Sequence, residues 1–192
     1  MITLRNKSLL NKIIAYLWLK DAHRKINRIE KFLKKDYKIL DVGGGPGTVC
    51  YLLKCMGFNS KTIDIKDLSI FKDIKTLIYD GQKFPFKDNS FDLTLILTVL
   101  HHTISPETIL SEAKRVSRRI IIIEDIYKNQ FQKYFTFLMD SLVNFQFFNH
   151  PHNNKNHKNW LESFKKLKLK LLYYQIDRNA PFLYQATYFL ET

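Results

Sequence analysis

The sequence is short of cysteine, of acid and of long apolar runs. Two cysteines among 192 residues, Cys50 and Cys55, cannot staple a chain of this size. On a helix their separation turns through about 500°, leaving the thiols about 140° apart. Neither a disulfide nor a metal site is expected, and a reducing compartment fits. No run of 18 apolar residues occurs, so no spanning helix is expected. The start imitates a secretory signal, with Arg5 and Lys7 ahead of the apolar run Ile13–Leu19. That run is short, and Lys20-Asp21-Ala22-His23-Arg24 offers no small-residue cleavage site, so a cytoplasmic protein is the expectation. Acid is the scarcer charge: 18 Asp and Glu stand against 31 Lys and Arg, a formal net of +13. Only seven of the basic residues are Arg, the residue suited to forked phosphate and base recognition. The Lys excess therefore reads as a solvated surface in preference to a nucleic-acid footprint. It is uneven, because eleven basic residues against three acids leave +8 on Met1–Lys38.

What is present suffices for one core. Hydrophobic residues make up 45%, with 15 Phe and 10 Tyr, which excludes a disordered chain. Leu9, Leu10, Ile13, Ile14 and Leu17 recur at helical spacing, and Ala22, Ile26, Ile29 and Leu33 form a second amphipathic stretch. The period then shortens. Strands are expected at Lys38–Val42, Ser60–Ile65, Thr76–Tyr79, Phe91–Leu97 and Arg119–Glu124, the last with four consecutive Ile marking burial on both faces. Helices are expected at Val49–Met56, stopped by Gly57, and from Pro106 to about Val116, with proline in the first turn. This alternation predicts an α/β, Rossmann-like doubly wound sheet of about seven strands, mostly parallel. The last third breaks the rhythm. Lys128–Phe147 reads as an aromatic-rich helix, Asn149–Asn159 as a polar loop and Trp160–Leu167 as a helix. Lys168–Ile176 and Phe182–Leu190 read as strands, giving the sheet an antiparallel C-terminal hairpin turning at Asp177–Pro181. Without repeats or a linker, one domain is expected over residues 1–192, with a helical leader at 1–38 and a helical insertion at 126–159.

Asp41-Val42-Gly43-Gly44-Gly45-Pro46-Gly47 falls between a strand and a helix, where open parallel sheets bind ligands. A nicotinamide or flavin fingerprint starting at Gly43 needs glycine at position 48, which is Thr48. A P-loop needs Gly-Lys-Ser/Thr, and Gly47 is followed by Thr48-Val49. The remaining pattern is acidic-x-Gly-x-Gly-x-Gly, met by Asp41, Gly43, Gly45 and Gly47. Here the chain resembles the class I S-adenosylmethionine (SAM)-dependent methyltransferases, in the group related to quinone-ring and small-molecule enzymes. Four further segments resemble the family in order: Thr62-Ile63-Asp64-Ile65, Asp80-Gly81, Phe84–Asp92 and Leu97–His102. The resemblance is dense over Ile39–Asp125. It departs from the family at Ile65–Lys75, where eleven residues leave room for about a turn in place of a full helix.

The resemblance implies SAM as cofactor, held by Asp41, Gly43, Gly44, Gly45, Gly47, Asp64, Ile65, Asp80, Gly81 and Thr98. Asp64 would accept the ribose hydroxyls, as a charged acceptor makes the stronger bonds. Asp80-Gly81 would meet the adenine, and Asp41 would hold the loop or reach the amino group. His101, His102 and Glu124 are the candidate catalytic residues, since imidazole has a base's pKa. Each has a plainer reading: the histidines as strand boundaries, Glu124 as a cap on the next helix. His150 and His152 are candidates for lining an acceptor pocket, and no metal is expected because no acid joins them. Phe131, Phe135, Leu138, Leu142 and Phe145 share a helical face, most simply core packing. The leader is expected to fold back over the cofactor mouth against that face. Three functions compete: methyl transfer to a small, apolar molecule; transfer to RNA or protein; and a non-catalytic SAM-binding or membrane-surface partner. An Asn/Asp-Pro-Pro-Tyr/Phe motif, common in enzymes that methylate base amino groups, is replaced by Leu97-Thr98-Val99-Leu100.

Overall fold

The computed structural model describes residues 4–5, 9–134 and 153–192. Seven strands form one sheet: β1 (Lys38–Val42), β2 (Asn59–Asp64), β3 (Thr76–Ile78), β4 (Leu93–Leu97), β5 (Arg119–Ile126), β6 (Lys170–Ala180) and β7 (Leu183–Glu191). Their spatial order is β3-β2-β1-β4-β5-β7-β6. β1 to β5 are mutually parallel, and β7 runs antiparallel between β5 and β6. The isoleucine run of β5 shows why the sheet is covered twice. Ile120 and Ile122 join the cluster with α3 (Pro106–Val116) and α4 (His157–Lys166), through Leu110, Ala113, Trp160 and Phe164. Ile121 and Ile123 join Ile26 and Ile29 of α1 (Leu9–Ile29) and Leu52 and Leu53 of α2 (Thr48–Cys55). All four are fully buried, each contributing about 1.5–3 kcal/mol by removal from water. Among the described residues no helix is long and apolar enough to cross a membrane.

The structure corrects the sequence reading in three places. The two amphipathic stretches of the leader are one helix, α1, because no glycine or proline divides them. Asp21 sits at the junction and bridges it, pairing with Arg24 at 2.5 Å and Lys25 at 2.9 Å one turn on. The C-terminal half of α1 does not fold back as a cover. Its Ala22, Ile26 and Ile29 are core residues beside α2, whereas Ile13, Tyr16, Leu17 and Trp18 are exposed. The hairpin turn is also tighter than Asp177–Pro181. Pairing continues to Ala180 opposite Leu183, leaving Pro181-Phe182 as the turn with Phe182 at φ +65°. Proline presets the first turn position and a left-handed residue completes it.

The short connection at Ile65–Lys75 contains no helix, and the N-terminus fills the gap. Leu4 forms an isolated bridge with Phe71, the Arg5 amide donates to the Ile70 carbonyl at 2.8 Å, and the Arg5 guanidinium pairs with Asp67 at 3.0 Å. Phe71 is buried and stacks on Tyr51 of α2, with centroids 4.1 Å apart. Within the insertion at 126–159, residues 130–134 are helical; the rest of the expected aromatic helix, with Phe135, Leu138, Leu142 and Phe145, lies outside the described residues.

Candidate cofactor and acceptor site

Parallel strands end on one edge, and the sheet order reverses between β1 and β4, which opens a crevice there. The glycine turn stands at its centre. The Gly44 backbone lies so close to β2 that a Cβ would come within 1.9 Å of Thr62 Oγ1. Gly45 has φ +49° and nothing within 4 Å of where its Cβ would be, so its outer face is open to a ligand. Asp64, at the end of β2, fastens this turn. Its Oδ2 accepts from the Gly45 amide at 2.8 Å and its Oδ1 from the Ile65 amide at 2.7 Å. Each oxygen keeps a further lone pair for a ligand hydroxyl.

Two apolar residues adjoin Asp64 along the backbone, Ile65 as the next residue and Ile78 as its register partner on β3. Ile65, Leu68 and Ile78 are all more than half exposed, a high value for large aliphatic side chains. Gly81 comes up against Ile65, where a Cβ would stand 3.2 Å from Ile65 Cγ2. Asp80 holds its own turn, Oδ1 accepting from the amides of Gln82 and Lys83, both at 2.8 Å. Those two bonds hold its carboxyl below the ordinary aspartate range.

Asp41 lies behind the glycine turn. It is buried, without a well-directed hydrogen bond to Oδ2, and it and Thr62 both lie against the Gly44 backbone. Burial pushes its pKa up to about 7; the Thr62 hydroxyl and the Lys25 ammonium oppose that rise. Thr98, just past β4, has φ +61°, a conformation β-branched residues rarely adopt. Its Oγ1 donates to the Leu97 carbonyl at 2.6 Å and accepts from Lys25 Nζ at 2.8 Å. Sequence reasoning missed Lys25, which comes from α1, 73 residues away. Its position beside the buried Ala22–Ile26–Ile29 face was the available signal.

The candidate catalytic residues meet at the ends of β4 and β5. Glu124 is fully buried, and its Oε1 accepts from the amides of Val99 at 2.9 Å and Leu100 at 2.7 Å. Its Oε2 pairs with His101 Nδ1 at 2.6 Å. Glu124 thus fixes the turn after β4, a stronger restraint than the helix cap of the plainer sequence reading. His101 is buried, and its ring lies 3.9 Å from that of the more open His102. The chain returns here at Asn153, whose amide donates to the His101 carbonyl at 3.1 Å. His150 and His152 lie outside the described residues.

These residues fit SAM on structural grounds. The crevice offers a hydroxyl-accepting carboxylate at Asp64, exposed aliphatic carbons for a purine, an open glycine face and acids for a cationic ligand.

Residues 40–120 match the methyltransferase-domain family model. Two uncharacterized proteins of Methanocaldococcus jannaschii are similar in sequence. MJ1123 is 46% identical over 48 residues, covering 25% of this chain and 23% of its own. MJ0638 is 37% identical over 87 residues, covering 43% and 37%. The chain therefore spans well under half the length of either relative. Among solved structures, a SAM-dependent methyltransferase from Methanosarcina mazei superposes with TM-score 0.69 at 16% identity, covering 85% of this chain and 96% of that one. A Haloferax volcanii complex, of the Trm112 methyltransferase activator with a protein described as a methyltransferase, gives TM-score 0.64 at 13% identity, covering 92% and 94%. The solved structures establish the fold, that of SAM-dependent methyltransferases, and the methyltransferase-domain match lies over the part of the chain that carries the Asp41–Gly47 turn.

Proposed function

We propose that the protein transfers the methyl group of SAM to a small-molecule acceptor in the cytoplasm. The observation that carries this reading is the Asp64 carboxylate clamped to the Gly45 amide beside an open glycine face. SAM supplies an electrophilic methyl on a sulfonium, and displacement needs alignment more than covalent help from the protein. Asp64 binds the ribose hydroxyls, and Ile65 and Ile78 flank the adenine next to Asp80-Gly81. At the acceptor end, Glu124 takes the Nδ1 proton side of His101 and so puts the imidazole lone pair at Nε2. That tautomer accepts a proton from an acceptor hydroxyl or amine. His102 lines the same end. His150 and His152 are proposed to line the acceptor pocket.

A second reading is favoured by one observation. The exposed Ile13, Tyr16, Leu17 and Trp18 on a basic leader suit a membrane surface or a protein partner, in the manner of an interfacial helix. A macromolecular acceptor, RNA or protein, belongs with it, and the Haloferax methyltransferase has an activator as partner. The test is transfer of labelled methyl from SAM into separated metabolite, lipid and RNA fractions. Labelling in the metabolite fraction is expected, and His101→Ala should lower it at least about tenfold while leaving SAM affinity within about twofold. Label confined to RNA, or an unchanged rate in the variant, would overturn the acceptor class or the role of His101 respectively.

A further inference from the structure

We propose that the groove between α1 and the edge strand β6 binds a single strand of nucleic acid. None of the crevice residues lines this groove, so it is a second site. Its volume is about 860 Å³, and it is open to solvent. A small-molecule pocket of that size would enclose its ligand; an open trough takes a chain in passing.

Helix geometry builds the wall. Lys20, Arg24 and Arg28 stand four residues apart on α1, about 6 Å along its axis, and Lys31 follows in the short turn Glu30–Phe32. That row of cations matches the interval between successive phosphates of an extended strand. One lining acid, Glu30, stands against these four. Arg24 and Arg28 already face Asp21 and Asp177, but among the described residues Lys20 and Lys31 have no acid partner. Both are exposed, and Lys31 lies over the Tyr173 ring, 3.9 Å from its centroid. The floor is an ordered polar ladder on β6. The Tyr173 hydroxyl donates to Gln175 Oε1 at 2.6 Å, and Gln175 Nε2 donates to Asp177 Oδ1 at 2.7 Å. Gln175 keeps one N–H and one lone pair for a ligand. Asn27, exposed on α1, supplies a second amide. An amide matches the paired donor and acceptor of a base edge, whereas acidic side chains only accept and leave the amide oxygens unpaired. Tyr16 stands one turn before Lys20 on the same face, its ring 66% exposed, a flat surface on which a base stacks. A membrane fits less well, because the cations lie in a trough beside β6 that a flat headgroup layer does not enter.

Fluorescence anisotropy of labelled oligoadenylate, as RNA and as DNA, tests the proposal. The native chain is compared with Lys20→Gln/Lys31→Gln and with Lys54→Gln/Lys61→Gln, which removes the same charge from exposed sites on α2 and β2. Native binding should weaken as salt rises. The groove variant should lose about tenfold in affinity, with a salt slope shallower by about 1.4, and the control less than about twofold. Tyr16→Ala should also lose about tenfold. Binding of either strand supports the proposal, and the tighter one identifies the sugar recognised. Equal losses in the two double variants, or no native binding, overturn it and leave a solvated basic surface. Oligoglutamate or phosphatidylglycerol vesicles that bind the native chain more tightly than either strand overturn it in favour of a protein or a membrane. Calorimetry with S-adenosylhomocysteine keeps the two readings apart. A chain that binds S-adenosylhomocysteine and no strand loses this inference alone, and one that binds the strand alone loses the proposed function.

Discussion

Asp41 sits where the end of β1 passes behind the glycine turn, shut away from water. Folded, it keeps its proton up to about pH 7; unfolded, it releases it near the ordinary 3.8. Folding therefore takes up a proton between those values, and Asp41's contribution to stability falls as pH rises through that window. Asparagine has no charge to bury. Measured by urea unfolding, the stability of Asp41→Asn relative to native should shift in the variant's favour by about 2–3 kcal/mol from pH 5 to pH 8. A difference that stays constant with pH would show that Asp41 is ionised throughout. The acids of the crevice were legible in sequence because they stand in or next to contiguous motifs. Asp41 opens the glycine pattern, and Asp64 ends a strand that pairs with it. Lys25 was not legible, since its partner Thr98 is brought to it only by the docking of α1. Glu124 was recognised as a candidate, but its grip on Val99, Leu100 and His101 depends on β4 and β5 lying side by side.

At the scale of elements, α1 divides into two halves with different work. The half containing Ala22, Ile26 and Ile29 is core, and the half containing Ile13, Tyr16 and Leu17 faces outward. Ile26→Ala removes fully buried carbons between α2 and the sheet and should cost about 2–5 kcal/mol in urea unfolding. Leu17→Ala should stay within about 0.5 kcal/mol, as surface changes do. Equal losses at both positions would mean that the outer half is covered too. Helical periodicity in the sequence showed both halves as amphipathic, but periodicity cannot say which stripe meets the sheet. The strands were easier to read. Four isoleucines in β5 mark a strand covered on both sides, and its neighbours carry similar runs. The exact hairpin turn was hidden because Pro181-Phe182 uses a left-handed phenylalanine where glycine is the usual signal. Removing Met1–Asp36, which a free leader would tolerate, would strip both Ile26 and Lys25 from the molecule.

For the whole molecule, the alternation of strands and helices marked the class of fold, and the ordered motifs carried the resemblance to methyltransferases. The reversal of strand order between β1 and β4 comes from topology, which no local pattern encodes. It is also what makes the crevice, where SAM is proposed to bind with its ribose on Asp64. Calorimetry of native protein and Asp64→Ala with S-adenosylhomocysteine tests it most directly. One-to-one saturation of the native protein at about micromolar concentration is expected. Asp64→Ala should lose about ten- to hundredfold in affinity, with little change in melting temperature. Native protein that gives no heat with S-adenosylhomocysteine but saturates with a nicotinamide nucleotide or ATP, or a variant that binds as tightly as the native protein, would contradict it.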